Sequence, residues 1–174
     1  SVEAVTSHGG MVNKFTGDGM LAVFGAPVSA GSGRDASQAL AAARSIQTGI
    51  LNLNQTLKKQ GSAALRLRVG IHSGVVLTGS LGSRERLEYA VIGDTVNCAS
   101  RLESLDKERH QGVVRVLVSS TTLVLAGENL EQPSLNDWGE ITVTGRKEPL
   151  RVFELGHVAS IKGRPPATPQ ANGS

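Results

Sequence analysis

Residues 11–25 read MVNKFTGDGMLAVFG. Two apolar-rich runs, MVNKFT and MLAVFG, flank Gly17-Asp18-Gly19, and Asp-Gly between such runs is a strong hairpin signal. A hairpin demands antiparallel pairing, which a doubly wound parallel sheet does not use. Working outward, Pro27 and the GSG at 31–33 break the strand pattern. Ala36, Leu40, Ala43, Ile46, Ile50, Leu53 and Leu57 then recur at helical spacing, which predicts a helix from Arg34 to about Lys59. In LRLRVGIHSG (65–74), Leu65, Leu67, Val69 and Ile71 alternate with Arg66, Arg68, Gly70 and His72, the period of a strand. VVLTGSLG continues as a second strand, and the polar run SRERLEY reads as an arm or hairpin tip. A short helix is expected from Asp94, placed as its N-cap, to about Leu105. VVRVLVS is a further strand and TTLVLAG a short helix or turn; EITVTG and LRVFEL then read as a last hairpin joined through Arg146-Lys147-Glu148-Pro149. Strands and helices alternate irregularly, so the expected class is α+β.

The 174 residues suit one domain, or one domain and a tail. Apolar residues make 39%, and the 21 glycines bring the total to about half, too rich for a disordered chain. The single cysteine, Cys98, rules out a disulfide framework and reads as buried filling. No apolar run approaches the ~18 residues of a membrane span, and SVEAVTSHGG lacks the features of a signal peptide. The net charge is +3, with basic residues scattered and five dispersed aromatics (Phe15, Phe24, Tyr89, Trp138, Phe153), which argues against nucleic-acid binding. From about Gly156 the composition turns to Gly, Pro, Ala and Ser without an acid, so 156–174 is expected to be a disordered tail or linker behind a domain at 1–155.

Two constellations could carry chemistry. Asp18 at the hairpin tip could hold a cation, with Lys14 projecting from the preceding strand near the same end. Asp-Gly turns also occur without any metal, so by itself Asp18 need only make the turn. Asn97 and Arg101 stand four apart on the expected short helix and share one face. An amide and a guanidinium could orient a ribose and clamp a phosphate, or simply form a polar face beside Val96, Ala99 and Leu102. Gly70 and Gly74 around His72 could bring backbone close to a ligand, or mark a bend. His8, His72, His110 and His157 lack metal-ligand spacing and read as structural or exposed, and no serine lies in a nucleophile elbow.

Taken jointly and in order, HGGMVNKFTGDGMLAVFGAP, LRVGIHSGVVLTGSLGS and LEYAVIGDTVNCASRLESL resemble the catalytic domain of class III nucleotide cyclases, the bacterial adenylate cyclases in particular. The resemblance runs from about Ser1 to Leu155 and is most specific in IGDTVNCASRLE. It implies a ferredoxin-like cyclase fold, a mostly antiparallel sheet with helices packed on one face. It implies conversion of ATP to cyclic AMP and pyrophosphate through two divalent ions, Mg²⁺ or Mn²⁺. Asp18 matches the second of two metal aspartates, Lys14 the lysine that reads adenine, Asn97 the ribose-orienting asparagine and Arg101 the arginine that stabilises charge in the transition state. Arg146 or Lys147 falls near the lysine that holds the terminal phosphates.

Two departures accompany the match. The family's first metal aspartate lies on an N-terminal strand with a motif like D-I-x-G-F-T, whereas this chain begins inside the helix that follows it. The chain alone is therefore expected not to cyclise ATP. Ala90 occupies the second base-selecting position, where adenylate cyclases usually carry Asp or Thr, so selection would rest mainly on Lys14 and backbone groups. The resemblance further implies a cytoplasmic, head-to-tail homodimer whose sites draw on both subunits, with SRERLEY in the arm that embraces the partner. A different expectation, favoured by Ala90 and the lone aspartate, is a non-catalytic nucleotide-binding or dimerisation module that regulates a partner cyclase. A diguanylate cyclase-like domain lacks its Gly-Gly-acid-acid-Phe turn here.

Overall fold

A computed structural model describes residues 1–83, 86–106, 112–143 and 148–156. Arg146, Lys147, His110, His157, the tip of the SRERLEY arm and the expected tail past Gly156 lie outside the described residues. In chain order the elements are α1 (Val2–Ser7), β1 (Met11–Thr16), β2 (Gly19–Val23), α2 (Ser32–Lys59), β3 (Leu67–Ile71), β4 (Leu77–Ser83), β5 (Arg86–Ile92), α3 (Asp94–Ser104), β6 (Val114–Ser119), α4 (Ser120–Leu125), β7 (Leu135–Ile141) and β8 (Leu150–Leu155). This is the α+β class expected, with antiparallel pairing dominant.

A four-stranded sheet in the order β3-β6-β8-β7 forms the centre, and β1-β2 and β4-β5 stand beside it as two-stranded hairpins. Among the described residues, only β3 and β6 pair in parallel. Strand β6 is buried along its whole length, which explains its nearly unbroken apolar run. Its alternate side chains feed two different cores. Val114, Val116 and Val118 join Leu40 and Ala43 of α2, Leu123 of α4, and Phe153 and Leu155 of β8. Leu117 joins Cys98 and Leu102 of α3, with Leu150 and Val152 of β8. Helices therefore cover both faces of this sheet: α2 and α4 pack on one and α3 on the other, not all on one face as expected. Buried Gln47 fixes α2 further, its amide donating to the Leu155 carbonyl at 3.1 Å.

Helix α3 sits against β3 with no side chain between them. A Cβ at Gly70 would overlap the Ala99 carbonyl oxygen and the Glu103 amide nitrogen. Gly70 thus receives a helix, and not a ligand. At its start, α3 is tied down by Thr95, whose hydroxyl donates to the Val75 carbonyl at 2.8 Å. Asp94 is the first helical residue and not the N-cap. Gly93 holds the cap position with φ 154, a region that favours glycine, and no side chain caps the helix. The Asp94 carboxylate still lies in the first turn, where it complements the helix dipole.

The far end of α3 is held by Arg115 of β6, a charged residue only 2% exposed. Its guanidinium donates to the carbonyls of Asp106 at 2.8 Å, Glu103 at 3.4 Å and Leu105, all at or just beyond the helix terminus. A cation there satisfies carbonyls the helix leaves orphaned and complements the negative end of its dipole. The Trp138 ring faces the guanidinium at 5.4 Å. Burial draws the Arg115 pKa below its ordinary value, an effect that Glu154 opposes. Arg68 adds a second tie, its Nε lying 2.8 Å from Glu103 Oε1.

The last hairpin is displaced from its expected place. Its first strand begins at Leu135, opposite Leu155, and ends at Ile141, opposite Leu150. Asn136, Asp137 and Gly139 look like turn residues, yet here they form a bulged strand in which Gly139 takes φ 79. Asp137 is useful on the outer surface, because it accepts from Arg151 of β8 at 2.6 Å, and that hydrogen bond holds its carboxyl below the usual carboxylate range.

Gly70→Ala is expected to force α3 off β3 and destabilise the fold by about 1–3 kcal/mol, read as a lower urea midpoint. Arg115→Met keeps the stem but strands buried carbonyls at about 1–3 kcal/mol each, so its midpoint should also fall. An unchanged midpoint would show that α3 is anchored elsewhere.

Candidate active site

The β1-β2 hairpin turns at Gly17-Asp18, with Thr16 paired to Gly19 and Gly17 at φ 63. This leaves the Asp18 carboxylate exposed at the tip. Lys14 is exposed on β1, opposite Leu21. Between Val12 and Lys14 the register slips, and Asn13 is the bulged residue. Its amide reaches out of the hairpin and donates to the Tyr89 carbonyl of β5 at 2.6 Å. Lys14 and Ala90 are the residues that follow the two partners of this bond, so the fold brings the two expected base-reading positions to adjoining strands. Ala90 is half-buried and pairs with Gly79 across β4-β5.

Strand β5 runs through Gly93 directly into α3, which carries the second constellation. Cys98 and Leu102 point into the core at 0% and 1% exposure, leaving Asn97 and Arg101 on the open face. With Ser100 and Ser104 they line an open depression of about 460 Å³. Arg101 also borders a second cleft of about 250 Å³, walled by Leu105, Asp106 and the segment Ile141 to Val143 just after β7. The guanidinium therefore stands where two polar hollows meet. Arg146 and Lys147 lie outside the described residues.

The expected residues thus fall into three places. Lys14 and Ala90 adjoin through Asn13 and Tyr89, Asn97 and Arg101 share one helix face, and Asp18 stands alone on its hairpin tip. No three His, Cys, Asp or Glu side chains converge among the described residues. Asp18 fits a divalent cation as one carboxylate of a site whose remaining ligands come from elsewhere. An Mg²⁺ ion that retains waters and binds substrate phosphates takes as few as one or two carboxylates.

Of the histidines read as structural or exposed, the two that are described hydrogen-bond within the fold. His72 Nδ1 lies 2.8 Å from the Ser119 hydroxyl, itself hydrogen-bonded to Thr122 at the start of α4. His8 Nδ1 lies 2.7 Å from the Ala4 carbonyl. Sequence reasoning missed Asn13 and Arg115. A lone arginine inside VVRVLVS was the available signal for a buried cation, but nothing in the sequence names its carbonyl partners.

Comparison with known proteins identifies the family. Residues 4–156 match the Adenylate and Guanylate cyclase catalytic domain family. Adenylate cyclase 1 of Rhizobium meliloti is 33% identical over 153 residues, covering 88% of this chain and 22% of that protein. The chain thus spans about a quarter of the length of the curated relatives it matches. The crystal structure of the guanylyl cyclase Cya2 superposes with a TM-score of 0.73 at 32% identity, over 90% of this chain and 74% of that one. The adenylyl cyclase CyaB from P. aeruginosa superposes with a TM-score of 0.76 at 28% identity, over 92% and 79%. With the match covering nearly every described residue, the chain belongs to the adenylate and guanylate cyclase catalytic domain family.

Proposed function

We propose that this domain is an adenylate cyclase, converting ATP to 3′,5′-cyclic AMP and pyrophosphate in intracellular signalling. The similar proteins include both adenylyl and guanylyl cyclases, so the base must be argued from the chain itself. Lys14 carries that argument. An ammonium group offers donors only, and adenine presents an acceptor at N1 where guanine presents an N–H. A lysine therefore suits adenine, whereas guanine's N–H donors call for an acceptor such as a carboxylate.

In this reading Asn97 orients the ribose and Arg101 places its guanidinium beside the α-phosphate. The 3′-hydroxyl gives up its proton, its oxygen bonds to the α-phosphorus, and the bond from that phosphorus to the pyrophosphate oxygen breaks. Arg101 stabilises the charge that grows as this exchange proceeds. Arg146 or Lys147 holds the terminal phosphates. Asp18 is the residue of this chain that would hold metal, and two divalent ions, Mg²⁺ or Mn²⁺, would supply neutralisation of the triphosphate and activation of the 3′-oxygen.

A head-to-tail second copy completes the site. Its supporting observation is the exposed apolar surface of the hairpins and of the segment leading into β4: Phe15 is 70% exposed, Val75 88%, Leu77 75% and Leu81 57%. No helix among the described residues is long and apolar enough to cross a membrane. We assign the domain to the cytoplasm, where ATP is supplied. The lone carboxylate of Asp18 and the silent Ala90 favour a second reading, a nucleotide-binding module that regulates a partner cyclase.

Two experiments on the full protein that carries this domain decide the matter. Lys14→Glu should lower the ATP-over-GTP ratio of kcat/KM, and an unchanged ratio would remove Lys14 from base recognition. The wild-type ratio should itself be modest, since Ala90 adds no side-chain contact. Arg101→Ala should depress kcat by about 10²-fold or more with little change in KM, and Asn97→Ala should do so more mildly. A wild-type protein that binds ATP but forms no cyclic AMP with Mg²⁺ or Mn²⁺ would establish the regulatory module instead.

A further inference from the structure

We propose that Asn13 is a positioning residue for purine selection: its amide, bonded to the Tyr89 carbonyl, sets the spacing between Lys14 and the β5 backbone at Ala90. The inference rests on the cyclase reading above and deepens it. Hairpins β1-β2 and β4-β5 belong to separate two-stranded sheets, so no ladder of hydrogen bonds fixes one against the other. Among the described residues, the hydrogen bond that joins β1 to β5 comes from a side chain. The Asn13 Nδ2 to Tyr89 O distance of 2.6 Å is short for a neutral amide bond, and both groups are part-buried.

The bulge is what makes this possible. A regular β1 would pair residue 13 with β2 and alternate its neighbours across the ribbon. Instead the register passes from Val12↔Ala22 to Lys14↔Leu21, which skips Asn13 and turns it toward β5. The next residue, Lys14, is left exposed on the same strand. Across the gap, Ala90 follows Tyr89 and has no side-chain donor or acceptor. Any hydrogen bond to a base from position 90 itself must come from backbone. Among the described residues, the Asn13 amide is the hydrogen bond that ties the two strands, and the relative placement of Lys14 Nζ and that backbone depends on it.

A residue needed only for folding would lower turnover of ATP and GTP alike. A residue that spaces the base-reading groups changes their ratio. In the full protein, Asn13→Ala, and Asn13→Asp, which sets an acceptor against the carbonyl, should each reduce the ATP-over-GTP ratio of kcat/KM by about tenfold. Asn13→Gln keeps an amide donor and should recover part of that loss, so the three variants together cover the case in which one fails to fold. Lys14→Glu serves as the reference for lost base recognition. If it shifts the ratio while every folded Asn13 variant keeps the wild-type value, or loses both nucleotides in parallel, Asn13 does not position the site. If the wild type cyclises neither nucleotide, the cyclase reading fails separately. The same variants are then scored by displacement of mant-labelled ATP with ATP and with GTP. An unchanged displacement ratio in the Asn13 variants would overturn the proposal on that footing too.

Discussion

The contact of α3 with β3 across Gly70 governs the rest of the molecule. Backbone lies against backbone there, so the helix has no side-chain cushion through which to shift. Packing at that distance is stiff, because overlap energy rises steeply once atoms touch. Thr95 fixes one end of the helix and Arg115 the other, with Arg68 holding Glu103 beside it. The open face of α3, with Asn97 and Arg101, is consequently as rigid as the sheet beneath it. A site on a helix held in this way suits chemistry that depends on orientation more than on affinity.

The hairpins present the opposite situation. They protrude from the sheet, carry exposed apolar side chains, and touch each other through a side-chain amide. Lys14 and Asp18 ride on this looser part, and Arg101 on the firm part. In the proposed reading, the base-reading lysine and the metal aspartate share the hairpin, while the arginine beside the α-phosphate sits on the helix. In a head-to-tail pair, the hairpins would gain from the partner the support that this chain alone does not give them.

Local signals in the sequence were enough for much of this arrangement. Gly17-Asp18-Gly19 announced the hairpin, the spacing of Asn97 and Arg101 placed them on one face, and the apolar run around β6 announced a strand. What escaped depended on partners distant in sequence. Arg115 stands out only as a lone charge in an apolar strand, and the carbonyls at 103, 105 and 106 that surround it are distant from it in sequence. Asn13 reads as an ordinary strand residue, because a bulge leaves no mark in composition. The start of β7 was misplaced because Asn136, Asp137 and Gly139 have turn character, and only pairing with β8 overrides it. Layering escaped for the same reason: Leu117 and Val118 are both apolar, and only the packed structure shows that they face different helices.

Trp138 is the chain's one tryptophan, and its ring lies over the Arg115 guanidinium while its indole N–H donates to Glu154 at 3.0 Å. An indole between a cation and a carboxylate emits according to the local field. The intrinsic fluorescence of this domain therefore originates at the anchored end of α3, a few residues from Arg101 and beside the strand that leads to its cleft. Without any label, the protein carries an optical gauge of whether that helix end is seated.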